Sequence, residues 1–311
     1  MSVKRKTPKN KSASNVEDSY LFQMSHRNLI YILLLIIFLI NVFSNRDVES
    51  FQEEKKHYDV IISINVHEKI DFLQKQLENI RENVKCKYAV ILNCNYHMFN
   101  ECNLIDLPNN IYIHNKILNK RTWHGSLTEG IYNNICYAIE HFKFDYFIVA
   151  SSRNFFGNDM KLEHLNKLFQ TGKIYTYNSD NKTWHNIDEI KVKDKNDWNE
   201  KKNTGHWSTF KRTLLLQYFI NKNQELYSSP HEGLVFTEKC CVKIMNFLEN
   251  NYDMKIDLFN FEYCVEEFAL QTISMNLGEP YNYIGNCCYN DQLEQNNYEG
   301  DIIRFMYKVN R

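Results

Sequence analysis

The chain has 311 residues, of which 43% are hydrophobic and 24% are charged. Its 37 Lys and Arg residues balance 38 Asp and Glu residues, so it lacks the basic excess of a dedicated nucleic-acid binder. The apolar content is sufficient for a packed core, which excludes a disordered or collagen-like chain. We therefore expect one or two globular domains and no nucleic-acid partner.

The N-terminal segment predicts a membrane anchor. Residues 1–28 are polar and carry most of their charge as Lys and Arg, and the apolar run LIYILLLIIFLINVF follows from Leu29. A helix over 29–44 would bury this run in a bilayer and leave the basic side in the cytosol. A signal peptide cleaved near Ser44 is the alternative. We expect a cytosolic tail over 1–28, a transmembrane signal-anchor over 29–44 and a charged stem over 45–57.

This orientation places the rest of the chain in the lumen, as in a single-pass type II membrane protein. All nine Cys follow the anchor, and some disulfides are expected there, although their spacing does not define the pairing. Asn181-Lys182-Thr183 is a candidate glycosylation sequon on the same side.

After the stem, patterns of strands and helices alternate along the chain. Apolar, β-branched runs predict strands over 58–66, 88–93, 111–114 and 145–150. Apolar residues at helical spacing predict helices over 67–84 and 127–142. This alternation is typical of an α/β fold with a largely parallel sheet.

Ligands bind such sheets at the carboxyl ends of the strands. The first predicted strand ends at Val66, His67 and Glu68, the second ends at Asn93, and the last is followed by the polar residues 151–154. We therefore expect the binding site of the protein at these positions.

A polar, irregular segment over about 178–206 predicts a long loop that contains Trp184 and Trp198. These rings would either stack on sugars or cover the edge of the core. Helices are predicted after it, over about 208–221, 237–250 and 262–276.

Several common motifs are absent. The chain has no GxGxxG, GxxxxGK[ST], HExxH, CxxC or GxSxG motif, and no Asp-x-Asp triplet. The spacing of Cys86, Cys94, His97 and Cys102 is too loose for a zinc site and favours disulfides or buried thiols. No metal site is expected.

Two charged pairs are candidates for chemistry. Arg304 and Lys308 lie four residues apart and would share a helix face, flank one loop or form an ordinary solvated surface. Glu266 and Glu267 lie in an apolar stretch and cannot both face the core of a helix. A carboxylate that turns toward a cleft would be partly desolvated, and its raised pKa would suit a general base.

Four blocks occur in order along the chain. They are SINVHEKI from Ser63, YAVILN from Tyr88, DYFIVASSRNFF from Asp145 with Trp123 before it, and GLVFTEKCCVKIMNFLEN from Gly233 with VEEFALQT after it. They resemble the patterns SIxVHHKI, a second strand that ends in Asp, YFINLSGxDFP, and GSAYFVxTREYVxYVLEN followed by PDExxxxT. These patterns belong to the core-2/I-branching family of N-acetylglucosaminyltransferases.

The resemblance implies an anchored Golgi enzyme whose residues 58–311 form a metal-independent, inverting catalytic domain with the Rossmann-like GT-A fold. Glu267 matches the family's catalytic Glu, and Arg304 and Lys308 are the available counterparts of the cations that neutralise its diphosphate. The positions that border the nucleotide in the family correspond to Val66, His67, Glu68, Asn93 and Ser152. The chain departs from the patterns at Asn93, Arg153 and Asn154, which replace Asp, Gly and Asp, and segment 178–232 does not match.

The function implied is transfer of a sugar, with GlcNAc the first choice, from a UDP-sugar to a hydroxyl of a glycan or glycoprotein. One alternative keeps the fold and transfers xylose to a protein Ser. The other is a non-catalytic, anchored sugar-binding protein on the same fold.

Overall fold

We describe the fold from a computed structural model. The described residues are 31–37, 54–114, 116, 124–157, 159–172, 175–178, 183–186, 212–263, 265–285 and 306–308. The backbone contacts divide the chain into two units, Met1–Glu54 and Lys55–Arg311.

In the first unit, the described residues 31–37 form a helix whose apolar side chains are exposed. No helix among the described residues is long and apolar enough to cross a membrane. The predicted cytosolic tail, the remainder of the 29–44 anchor and the stem up to residue 53 lie outside the described residues.

The second unit is a mixed α/β domain. Its strands are β1 (Lys56–Val66), β2 (Tyr88–Cys94), β3 (Ile111–Ile113), β4 (Phe142–Ser151), β5 (Asn154–Phe156), β6 (Tyr175–Asn178), β7 (Thr183–Asn186), β8 (Leu234–Thr237), β9 (Asn282–Tyr283) and β10 (Met306–Lys308). Six of them form a central sheet in the order β3-β2-β1-β4-β8-β9. The first four of these strands are parallel, and β8 and β9 are antiparallel to their neighbours.

The helices alternate with the strands in the first half of this domain and cluster in the second half. They are α1 (Ile70–Asn83), α2 (Tyr96–Leu104), α3 (Ser126–His141), α4 (Leu162–Gln170), α5 (Leu214–Asn221), α6 (Glu238–Asn250), α7 (Tyr252–Asn260) and α8 (Ala269–Asn276). A short 3-10 helix, Val265–Glu267, precedes α8.

Strand β1 lies at the centre of the core and is buried on both faces. Ile61 packs into one apolar cluster with Phe147 and helix α3, whereas Ile62 packs into a second cluster with Ile148 and helix α1. Burial on both faces explains why residues 60–64 of this strand are mostly apolar rather than alternating.

The topology brings distant segments to the carboxyl ends of the parallel strands. Because β8 runs antiparallel to β4, its first residues lie beside the end of β4, where the Gly233 amide donates to the Val149 carbonyl (2.7 Å). Strand β10 pairs with β5, and Lys308 lies opposite Asn154. The C-terminal strand therefore lies just beyond the end of β4.

The four predicted strands and the first two predicted helices are confirmed within a few residues. The helix predicted over 262–276 is wrong as a single element, because the chain forms the 3-10 helix Val265–Glu267 and then α8. Helix α7, which precedes them, was not predicted.

The predicted loop over 178–206 is also wrong in part, because β6 and β7 form an antiparallel hairpin at its start. Tyr, Thr and Trp favour strands and explain this pairing in a polar sequence. Trp184 lies in β7, and Trp198 lies outside the described residues.

Two amide side chains of α1 hold the segment that follows β4. The buried Gln76 amide donates to the carbonyls of Ser151 (2.8 Å) and Asn154 (2.7 Å). One turn later, Asn79 donates to the Phe156 carbonyl (2.9 Å) and accepts from the Phe156 amide (2.6 Å). These bonds fix the turn at the edge of the sheet to the helix.

We predict that Gln76→Met destabilises the fold by about 1–3 kcal/mol, since it leaves two buried carbonyls without their donor. Urea unfolding followed by circular dichroism measures this change. Gln74→Met is the matched control because Gln74 is exposed on the same helix. Equal stabilities of the two variants would contradict the role given to Gln76.

Candidate active site

Three of the predicted nucleotide-contacting residues end parallel strands but are sealed inside the fold. Val66, Asn93 and Ser152 each have 0% exposed surface. Their side chains are therefore inaccessible to a ligand in this conformation, and they shape the edge of the sheet from within.

His67 and Glu68 are partly exposed and form a polar rim with Arg153. The Ser152 hydroxyl lies 3.1 Å from His67 Nδ1, and Glu68 lies 3.6 Å from both His67 Nε2 and Arg153 Nε. The structure thus brings together the first and third of the four sequence blocks. The Glu68 carboxylate offsets the charge of Arg153.

Asn154, which replaces an Asp of the family pattern, has a structural role. Its Oδ1 accepts a hydrogen bond from the Ser151 amide (2.6 Å), and its side chain is buried. The amide therefore closes the turn after β4, together with the contacts from Gln76.

The adjacent carboxylates Glu266 and Glu267 point to different environments, as predicted. Glu266 is only 3% exposed, whereas the Glu267 side chain is solvent-exposed. The Ser229 amide donates to the Glu267 carbonyl (2.9 Å), and Gln271 donates to the carbonyls of Ser229 (3.0 Å) and Glu266 (3.1 Å). These bonds fix the 3-10 helix against the segment before β8.

Thr272 strengthens the same attachment. Its hydroxyl accepts from the Tyr227 amide (3.0 Å) and donates to the Tyr227 carbonyl (2.9 Å). Thr272, five residues after Glu267, therefore fixes the segment around that carboxylate through its bonds to Tyr227.

The environment of Glu267 suits proton transfer near neutral pH. Surrounding protein atoms partly desolvate the carboxyl although water still reaches it, and the negative charge of Glu232 acts in the same direction. Together they raise the pKa of Glu267 to about 7, against the opposing charge of Lys308. Burial raises the pKa of Glu266 well above its usual range and so favours the neutral form of that carboxyl.

Lys308 reaches this cluster from β10 and forms a buried ion pair with Glu232. Burial alone would raise the pKa of Glu232, but His231, Lys308 and the hydrogen bond from Lys308 lower it to about 2. Lys308 lies in a strand and is buried, which excludes two of the three alternatives for it, the helix face and the solvated surface. Arg304 lies outside the described residues.

His231 connects this pair to the polar rim. Its Nδ1 lies 3.6 Å from Glu232 Oε2. Burial lowers the pKa of His231, and the positive charges of Lys308 and His67 lower it further, against the charge of Glu232. The imidazole is therefore neutral at pH 7. It lies close enough to His67 for the two side chains to interact electrostatically.

A close backbone approach fixes the position of Glu232. Gly233 has a φ of +99°, and a Cβ there would lie 2.4 Å from the Gly285 Cα. A Cβ on Gly285 would lie 2.3 Å from the Glu232 carbonyl oxygen. Only glycine fits at both positions.

Glu232 and His231 were not identified from the sequence. The available signal is the polar dipeptide directly before Gly233, at the start of a buried strand. Polar residues at that point become significant only when the antiparallel pairing of β8 with β4 carries them to the carboxyl edge of the sheet.

The described residues contain neither a disulfide nor a group of three His, Cys, Asp or Glu side chains that could hold a metal ion. The expected disulfides are not formed among the six described cysteines, which are Cys86, Cys94, Cys102, Cys136, Cys240 and Cys241. Cys264, Cys287 and Cys288 lie outside the described residues. Metal independence stays a prediction.

A cavity of about 470 Å³ lies elsewhere in the domain, beside α7. It is lined by Arg212, Ile256, Asp257, Asn260, Phe261 and Glu262. None of the predicted site residues contributes to it.

No protein-family model matches the chain, and no curated protein matches it in sequence.

We predict that Lys308→Met lowers the free energy of unfolding by about 3–5 kcal/mol near pH 7, because it leaves the Glu232 carboxylate buried and unpaired. Without the ammonium, the pKa of Glu232 rises above its unfolded value. The lost stability therefore returns as the pH falls and the carboxyl is protonated. Urea unfolding near pH 7 and pH 5 tests both effects.

Lys239→Met is the control for this experiment. Lys239 is 73% exposed in its ion pair with Glu279, so its loss should change stability by less than about 1 kcal/mol. A deficit for Lys308→Met that stays constant with pH would contradict an unpaired carboxylate as its cause.

Proposed function

We propose that this chain is a membrane-anchored, metal-independent inverting glycosyltransferase with a GT-A domain. It would transfer GlcNAc from UDP-GlcNAc to a hydroxyl of a glycan or glycoprotein in the Golgi or ER lumen. The single observation that carries the proposal is Glu267, a solvent-exposed carboxyl fixed beside the segment that leads into β8, where partial desolvation raises its pKa to about 7.

Glu267 would act as the general base. As the acceptor hydroxyl attacks the anomeric carbon, its proton passes to the Glu267 carboxylate. The bond from that carbon to the UDP oxygen breaks on the opposite face, which inverts the anomeric configuration. A base with a pKa near 7 is largely deprotonated at slightly alkaline pH and still accepts a proton effectively.

The architecture supports this reaction class at a coarse level. The central sheet is mostly parallel and is compatible with a Rossmann-like domain, in which ligands bind at the carboxyl edge. His67, Glu68 and Arg153 line that edge, and the GT-A assignment itself rests on the four sequence blocks.

The departing UDP requires positive charge in a site without a metal. Lys308 and Arg304 would supply it, with Arg153 nearby. Because Lys308 is paired with Glu232, the diphosphate would have to compete with that carboxylate for the ammonium. Arg304 would therefore carry a larger share of the neutralisation.

The membrane anchor over 29–44 and the luminal orientation belong to the same proposal. They are supported by the uninterrupted apolar run and by the basic residues that precede it. Protease protection of the full chain in microsomes tests the orientation, since a cytosolic body would be digested.

We expect Glu267→Gln to lower the rate of sugar transfer by about 100-fold or more, since the amide accepts no proton. UDP-GlcNAc binding, measured by calorimetry, should be retained. In the unsubstituted chain, kcat/KM should rise as the pH increases through about 7, as Glu267 loses its proton.

Glu262→Gln is the matched control, because Glu262 is an exposed carboxylate five residues earlier. Full transfer activity in Glu267→Gln would refute the assignment of the base. UDP release measured with a panel of UDP-sugars tests the donor, and xylose as the preferred sugar would replace GlcNAc in the proposal. Failure to bind any UDP-sugar would favour a non-catalytic protein.

A further inference from the structure

We infer that Glu232 is a positioning residue of this site, whose buried carboxylate holds the Lys308 ammonium beside Glu267. The inference rests on the proposed function, since it concerns the same base. Glu232 touches Lys308 rather than the reacting atoms, so its role is indirect.

The backbone around Glu232 leaves its carboxylate little freedom. Glu232 is 6% exposed, and the Gly233 amide that follows is bonded to the Val149 carbonyl of β4. The contact between Gly233 and Gly285 closes the other side of the turn. The carboxylate therefore occupies a fixed position relative to the end of the sheet.

Lys308 is held from the opposite direction. It lies in β10, in register with Asn154, and is 9% exposed. Its ion pair with Glu232 is the contact that connects the C-terminal strand to the turn before β8. The turn begins at His231, two residues after Ser229, whose backbone amide donates a hydrogen bond to the Glu267 carbonyl.

Glu267 is faced by charged groups from three elements. Glu266 lies on its own 3-10 helix, Glu232 comes from the turn before β8, and Lys308 comes from β10. His231 lies beside Glu232 but is neutral, because burial lowers its pKa. Burial also favours the neutral form of Glu266, because it raises the pKa of that carboxyl.

Partial burial is the main cause of the raised pKa of Glu267, and two charged neighbours act on it in opposite directions. Glu232 favours the protonated form through its own negative charge, and Lys308 favours the carboxylate. Removal of the Glu232 charge eliminates the first of these two effects, while the pairing of β10 with β5 keeps the Lys308 backbone at this edge of the sheet. The pKa of Glu267 should therefore fall.

The test uses Glu232→Gln in the full chain. The acidic limb of the pH dependence of kcat/KM, measured by UDP release from UDP-GlcNAc, should shift to lower pH by about one pH unit. Infrared difference spectra against the same chain carrying Glu267→Gln should show the same shift in the titration of the Glu267 carboxyl. The infrared measurement does not require activity.

Glu232→Asp provides a second, charge-conserving variant. Because the charge is kept and the shorter side chain shifts the Lys308 ammonium by only about one methylene length, the acidic limb should stay in place, whereas the misplaced ammonium should lower kcat by about 10-fold. Glu279→Gln is the control because Glu279 forms ion pairs with Lys239 and Lys243, away from the sheet edge, and it should leave the limb unchanged.

An unmoved Glu267 titration in Glu232→Gln would overturn the inference. If that variant does not fold, a shifted limb or an unchanged kcat in Glu232→Asp would overturn it instead. Absence of transfer in the unsubstituted chain, together with the expected infrared shift, would refute the proposed function and leave the electrostatic role of Glu232 intact.

Discussion

The parallel pairing of β1 with β2 on one side and β4 on the other is the constraint on which the rest of the domain depends. Because the three strands run in the same direction, their carboxyl ends meet at one edge. Apolar side chains fill both faces of β1, so the polar residues that follow each strand emerge only at this edge. The location of the candidate site follows from this arrangement.

Two later segments return to the same edge and complete it. The antiparallel β8 begins beside the end of β4, and β10 pairs with β5 just beyond it. Their junction is the buried pair of Glu232 and Lys308. A buried ion pair is costly to desolvate and is a weak source of net stability, which suggests that this one serves position and charge.

The sequence was most informative where one residue pattern controlled local structure. The largely apolar runs of β1 and β4 predicted buried strands, and the two acidic residues Glu266 and Glu267 predicted one buried and one accessible carboxyl. Helix α2 was missed because it is short and buries only Met98 and Cys102. Helix α4 is absent from the prediction although Leu162, Leu165 and Leu168 recur at helical spacing.

The sequence by itself therefore determined the α/β class and the strands of the parallel sheet, because burial on both faces of a strand and helical periodicity are local signals. The resemblance of the sequence blocks singled out Glu267 as the candidate base. Only the tertiary structure decided that Val66, Asn93 and Ser152 are sealed from solvent and that Glu232 and Lys308 meet. Contact between residues 76 positions apart depends on strand direction and register, which no local pattern encodes.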